Sequence, residues 1–256
     1  MNLSISPPIL ELIIQPGKTV KQTYAISSDG NNTNLIPKIV YFTSADNAGN
    51  INLTDIEAPD WISYDQKSSV LTISPPENAE EVDHFMTLVF TSESPVDLTN
   101  QNSTSISSQI GSNILLTISR DGNPKKSAEI VEFSAPRIVD PLLNPISYNL
   151  TLANNGNSFW KPIGKIVTKN ETLNLAPQNI ISGSSRKISC IENENLIKCE
   201  LKNKFYIGKI TSKLEFSIDN DPKIYKAETI TYSFPFMLIL AFIILGIIFK
   251  VWRRKK

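Results

Sequence analysis

One histidine, two cysteines and ten glycines are all that this 256-residue chain holds of those three residue types. Catalytic triads, histidine-based acid–base relays and the common zinc sites mostly need more. No excess charge is present, since 25 basic residues balance 25 acidic ones. A dominant nucleic-acid-binding role is thereby disfavoured. The sequence has no GxSxG, HExxH, P-loop or dinucleotide fingerprint, and no carboxylate pair stands out for glycoside chemistry. The expectation is a non-enzymatic protein without a cofactor or a bound metal. From Leu3 to Ser233 no helical period appears either. The 16 prolines, scattered among Val, Ile and Thr, argue against long soluble helices.

What is present is 41% apolar residues, enough for real cores. They come as short β-branched runs bounded by turn residues. In the first half these are Ile9–Ile14, Val20–Ile26, Ile36–Phe42, Val70–Ile73, Phe85–Phe90 and Ile110–Ile118. Pro16-Gly17, Asp29-Gly30 and Ala48-Gly49-Asn50 supply turn chemistry. The polar stretch Ser119–Lys126 reads as a domain boundary. A second series follows: Ile130–Phe133, Ile146–Leu152, Ile163–Val167, Lys187–Cys190, Leu196–Leu201, Ile210–Ile218 and Ala227–Tyr232. The fold class expected is all-β, two tandem immunoglobulin-like β-sandwiches over residues 1–119 and 128–231 with a linker at 120–127. Ser92–Ser108 reads as a hairpin loop that is either solvated or a contact loop.

The C-terminus differs in kind. Phe234–Phe249 reads FPFMLILAFIILGIIF, without a charge. Tyr232–Trp252 has the length a bilayer core demands if Lys250 snorkels to the interface. Tyr232 and Trp252 stand at its ends, where amphipathic rings favour the headgroups. Arg253, Arg254, Lys255 and Lys256 form a basic tail over 253–256. The net charge runs from −7 over residues 1–127 to +2 over 128–233 and +5 over 234–256. This asymmetry predicts a single-pass transmembrane helix at 232–252, the C-terminus in the cytoplasm and the preceding residues extracellular at the cell membrane. MNLSISPPIL has neither a basic n-region nor a long apolar h-region, so an upstream leader is expected to be missing.

Few residues stand out as sites. If Glu194-Asn195 is a two-residue turn, Cys190 and Cys199 face each other as a non-hydrogen-bonded pair within disulfide reach. A single-residue slip would leave two free thiols. Trp61 and Trp160 are candidates for stacking on a sugar, against the commoner role of packing in a sandwich. Asp46–Asn50 and Asp219–Asp221 lack calcium-loop spacing and read as turns. The sequons at Asn2, Asn31, Asn52, Asn102, Asn149 and Asn170 are attributed to composition.

Two stretches carry a resemblance. Ser6-Pro7-Pro8-Ile9-Leu10-Glu11-Leu12, followed by Gln15-Pro16-Gly17-Lys18-Thr19-Val20, resembles the opening strands of exported bacterial immunoglobulin-like domains. Leu152-Ala153-Asn154-Asn155-Gly156-Asn157, Lys161-Pro162-Ile163-Gly164-Lys165-Ile166 and Gln178–Arg186 resemble the second domain of the WxL-interacting surface proteins of Gram-positive bacteria. Ser182 stands where that family usually has proline. The resemblance implies a leader, a peptidoglycan-binding sandwich, a sandwich that binds a surface or host protein, one transmembrane helix and a basic tail. It implies an adhesion protein whose partners are cell-wall polymer, a surface protein and, through the helix, membrane lipid. The other reading is a stalk or chaperone-like subunit of a surface or secretion assembly.

Overall fold

The computed structural model describes residues 3–28, 35–92, 108–169, 171–201, 206–219 and 221–254. The sequons at Asn2, Asn31, Asn102 and Asn170, the Asp29-Gly30 turn, the 93–107 loop, Asn220, Lys255 and Lys256 lie outside the described residues. The chain divides into two compact units, Met1–Lys126 with Gly156–Phe159, and Ser127–Asn155 with Trp160–Lys256. The division at 126/127 falls within the expected linker. Residues 156–159 depart from the expected second domain. The Asn157 N–H donates to the Lys125 carbonyl at 2.8 Å, and the Ser158 and Thr117 hydroxyls lie 3.0 Å apart.

The first unit contains β1 (Leu3–Ser6), β2 (Ile9–Ile14), β3 (Val20–Thr23), β4 (Ala25–Ser28) and β5 (Leu35–Ser44). It continues through β6 (Ile51–Glu57), β7 (Ile62–Asp65), β8 (Val70–Ile73), β9 (Asp83–Ser92) and β10 (Gln109–Ile118). A five-stranded sheet runs β2-β10-β9-β5-β6, a three-stranded sheet β3-β8-β7, and β1 pairs with β4. The opening segment is shared between sheets. Pro7 and Pro8 offer no N–H, so the ladder to β4 stops there and β2 resumes parallel to β10. The single strand expected over 20–26 is also two. The Tyr24 N–H turns to the Ser69 carbonyl, and β4 leaves the sheet that β3 joins. Met86, Leu88 and Phe90 on β9 and Ile114, Leu116 and Ile118 on β10 share one face by the two-residue period. Leu71 and Ile73 on β8 join them in the same core.

The second unit contains β11 (Ala128–Ser134), β12 (Ile138–Val139), β13 (Asn149–Asn154), β14 (Pro162–Val167) and β15 (Thr172–Leu175). After them come β16 (Ser185–Lys187), β17 (Cys190–Glu192), β18 (Asn195–Ile197), β19 (Gly208–Ile218) and β20 (Ile224–Ser233). One sheet runs β12-β20-β19-β14-β15-β17-β18 and the other β11-β13-β16. The opening device repeats. β11 pairs with β13, the chain passes Pro136, and β12 lies parallel to β20. Trp160, Ile166, Leu173, Leu214, Phe216 and Ile218 belong to its core.

Each unit also buries a tyrosine in the same way. Tyr24 and Tyr148 are both buried, and each phenol meets a fully buried serine hydroxyl, Ser112 at 3.3 Å and Ser212 at 2.7 Å. A buried hydroxyl left unpaired would cost about 1–3 kcal/mol, so each serine repays the burial of its tyrosine. The chain is all-β, with immunoglobulin-like sandwiches followed by one helix, α1 (Phe236–Arg254). The helix starts four residues later than the span expected at 232–252. Tyr232 and Ser233 remain in β20, where they pair with Ile138 and Val139 of β12.

Candidate functional site

Trp160 is not a sugar platform. It is 1% exposed, pairs with Ile180 through both backbone bonds, and its indole N–H has no hydrogen-bond partner among the described residues. It fills the core of the second unit, the commoner of the two roles weighed for it in the sequence.

Trp61 is half-buried and differently placed. Its ring meets His84 edge-on at 5.2 Å between centroids, and the Tyr41 hydroxyl lies 2.6 Å from His84 Nδ1. β7 is preceded by Trp61, β9 supplies His84 and β5 supplies Tyr41, so three strands assemble the cluster. Trp61, Pro76, Ala79, Val82, His84 and Ile118 line an open depression of 310 Å³. Its walls are mainly apolar, suited to one face of a planar or apolar group. The partnership of Trp61 with His84 was not legible in the sequence, because the two lie 23 positions apart on different strands.

Burial pushes the His84 imidazole below its ordinary range and the Tyr41 phenol above its own. The folded chain therefore favours neutral His84, which can accept the Tyr41 hydrogen at Nδ1. Above about pH 6.5 both folded and unfolded states hold it neutral, and the group costs nothing. Below that pH the unfolded chain takes up the proton first, so stability falls as pH falls towards the depressed folded value. Unfolding followed by Trp61 fluorescence is expected at lower denaturant at about pH 5 than at about pH 7.5. His84→Phe is expected to flatten that dependence, and an unchanged slope in the variant would sink the assignment.

Two of the stretches that carry the family resemblance, 152–157 and 178–186, meet in space. The Asn154 side chain is fully buried and donates to the Ile180 carbonyl at 2.8 Å. Its backbone N–H donates to Ser184 and its carbonyl accepts from Gly183. Ala153 and Leu152 pair with Ser185 and Arg186, and Arg186 donates to the Asn179 carbonyl at 2.7 Å. This is a structural clasp, in which the motif residues bond each other.

Cys190 and Cys199 form a disulfide with Cα atoms 4.9 Å apart. The hairpin around it differs from the expected one. Asn193 and Glu194 both have positive φ and make the turn, so Cys190 faces Ile197. Cys199 lies past the end of β18, where its carbonyl accepts from the Tyr148 N–H. The bond thus ties β17 to a segment that has left the hairpin. The Asp46 carboxylate accepts from the Ala48 N–H, the Asn50 N–H and the Asn50 side-chain amide. Those bonds hold it below the usual carboxylate range and close the β5–β6 turn.

The expected interface residues fall at the two ends of α1. Tyr232 lies four residues before the start of α1, and Lys250, Trp252, Arg253 and Arg254 lie in the helix's last two turns, all exposed. The helix N-terminus is capped from a distance. The Met237 N–H donates to Asp140 Oδ2 at 2.8 Å, while Asp140 Oδ1 accepts from Leu142 at 2.9 Å. The Ser233 hydroxyl, the nearest local alternative, donates instead to the Tyr206 carbonyl. Tyr206 in turn donates to Glu171 at 2.8 Å, and burial with that bond drives its phenol far above the ordinary range.

No family model and no curated protein matches the sequence. Among solved structures the chain is similar to the YadV chaperone, at 10% identity and a TM-score of 0.39, covering 90% of this chain and 100% of that one. The class 5 fimbriae chaperone CfaA gives 13% identity and a TM-score of 0.36, covering 89% and 99%. Extracellular domains 3–5 of Drosophila OTK give 11% identity and a TM-score of 0.27, covering 90% and 61%. The fold assignment stands on the strand order and register described above.

Proposed function

We propose that this chain is a non-catalytic cell-surface protein, held in the membrane by α1, whose two sandwiches bind cell-wall polymer and a surface protein. The observation that carries the reading is α1 itself. It has 19 residues, is apolar until its basic end, and is not buried in the structure. At 1.5 Å per residue it is about 28 Å long, close to the hydrocarbon thickness. An exposed apolar surface of that extent needs lipid around it. The basic end at Lys250, Arg253 and Arg254 supports a cytoplasmic C-terminus with the sandwiches outside. The WxL-interacting resemblance assigns wall polymer to the first sandwich and a protein partner to the second. The Trp61 depression is the contact we assign to the polymer.

A second reading has an observation of its own. β6 is the outer strand of its sheet, and Leu53 and Ile56 on it are 47% and 64% exposed. Such an edge can accept a strand from another subunit, as an assembly protein would require.

The test uses the full chain in lipid nanodiscs. It is expected to co-sediment with purified peptidoglycan or to retain a purified surface protein, and Trp61→Ala is expected to weaken the first. Retention of neither would remove the binding function. Capture of a strand-donating subunit that is lost in Asp55→Pro would favour the assembly reading instead. Removal of Phe236–Arg254 is expected to release the chain from the membrane fraction, and persistence there would exclude α1 as the anchor.

A further inference from the structure

We propose that the helix-proximal base of the second sandwich is itself a membrane-docking surface. Leu142 and Leu143 seat in the lipid interface, and Arg137, Lys169 and Lys209 face anionic headgroups. The proposal rests on the reading of α1 as the membrane span.

Position comes first. Only Phe234 and Pro235 separate β20 from α1. Two extended residues reach roughly 7 Å, so a spanning α1 holds the base within about a headgroup layer of the bilayer. The Asp140 carboxylate adds a second link. It is 8% exposed and accepts at once from Met237 in the first turn of α1 and from Leu142. The Asp140 carbonyl accepts from Leu143 and Asn144, which closes the loop. The Leu142-Leu143 turn is thereby fixed beside the start of the helix.

The surface there is apolar. Leu142 and Leu143 are 43% and 59% exposed. Ile138, exposed, pairs with Tyr232, and exposed Ile207 precedes Gly208, which pairs with Ser233. Ile138 and Ile207 lie at the level of the sheet at which the chain enters α1. Scattered apolar residues on a surface need no explanation, but exposed ones placed around the strand ends that lead into an apolar helix do.

Charge sorts the same way along the β19–β20 hairpin. Farther from the helix, cations are matched: Lys213 pairs with Glu228 at 3.2 Å and Lys226 with Glu215 at 3.1 Å. At the base, Lys209 lies opposite Tyr232. Lys209 and Lys169 line one hollow of 390 Å³ with Tyr206 and Thr211. Arg137 stands beside them in register, its carbonyl accepting from Tyr232. No carboxylate among the described residues pairs with any of these three cations. The acids at hand are engaged, Asp140 in the cap and Glu171 by the Tyr206 hydroxyl. A basic, apolar rim is what an anionic lipid interface accepts.

The test reconstitutes the full chain, with its disulfide oxidised, into vesicles of phosphatidylcholine and phosphatidylglycerol. Nitroxide labels are placed singly through Leu143→Cys, Ile224→Cys and Leu245→Cys. Ile224 is an exposed apolar control at the far end of β20, nine residues from Ser233. The expected result is a several-fold higher ratio of oxygen to nickel-chelate collisions at Leu143 than at Ile224, at a depth of about 5–10 Å. Leu245 is expected to read as hydrocarbon. If Leu245 reads as hydrocarbon while Leu143 matches Ile224, the docking surface is overturned and the span stands. If Leu245 reads as water, the span itself fails. Dipolar broadening at Leu143 that vanishes on dilution with unlabelled chain would replace lipid by a second copy and overturn the proposal. The triple variant Arg137→Gln, Lys169→Gln, Lys209→Gln is expected to abolish the dependence of Leu143 depth on phosphatidylglycerol. A dependence that persists would overturn the electrostatic half.

Discussion

Replacing Gly164 by alanine is expected to unfold the second sandwich. Gly164 lies in β14 opposite Phe216 of β19. A Cβ there would stand 2.2 Å from the Glu215 carbonyl oxygen, 2.4 Å from Phe216 Cβ and 2.5 Å from Phe216 Cα. No side-chain rotation relieves a clash with backbone, so two strands must separate in the middle of the largest sheet. Overpacking in a core commonly costs about 1–3 kcal/mol, and a clash of this kind is expected above roughly 3 kcal/mol. Against a domain stability of about 5–15 kcal/mol that is a large share. Gly183→Ala provides the contrast. Its φ is +70° but nothing lies within 4 Å of the added carbon, so only the backbone penalty of about 1–2 kcal/mol applies. Denaturant unfolding in detergent, followed by the fluorescence of Trp160, separates the two. Equal midpoints for both variants would refute the close-approach argument.

Trp160→Ala is expected to cost about 3–5 kcal/mol, as large aromatic truncations in cores do. Trp160→Phe is expected to cost less than about 1.5 kcal/mol. The indole N–H has no partner among the described residues to lose, so phenylalanine forfeits only part of the volume. A sugar platform would behave in the opposite way, with binding lost and the fold kept. Circular dichroism together with peptidoglycan co-sedimentation distinguishes them. A folded Trp160→Ala chain with impaired binding would return this residue to the surface.

The sequence made the central strands legible because burial on one face writes itself as alternation. Met86, Leu88 and Phe90 on β9 and Leu214, Phe216 and Ile218 on β19 carry that mark. β6 does not. Its segment INLTDIE is an edge exposed along both faces, and no pattern is imposed on it. The two-residue β12 pairs, among the described strands, with the remote β20 alone. The cysteine hairpin was misplaced for a local reason. Asn193 takes positive φ readily, and Glu194 follows it, so the turn falls one residue earlier than Glu194-Asn195. The Asp140 cap was illegible because Asp140 and Met237 lie 97 positions apart. Trp61 and Trp160 look alike as residue types, and only the strands around each decide that one reaches the surface.

The parallel closing strand of the second sandwich has a mechanical consequence. If the proposed wall binding and α1 anchor hold, tension runs along β20, whose end leads directly into the helix. That strand is laced to β19 from Gly208↔Ser233 to Ser217↔Ile224 and to β12 on its other side. Load enters along these rungs as shear, so many must give way together instead of peeling one by one. Rupture under pulling is governed by the unfolding rate, and this geometry places the strongest lacing where the force arrives.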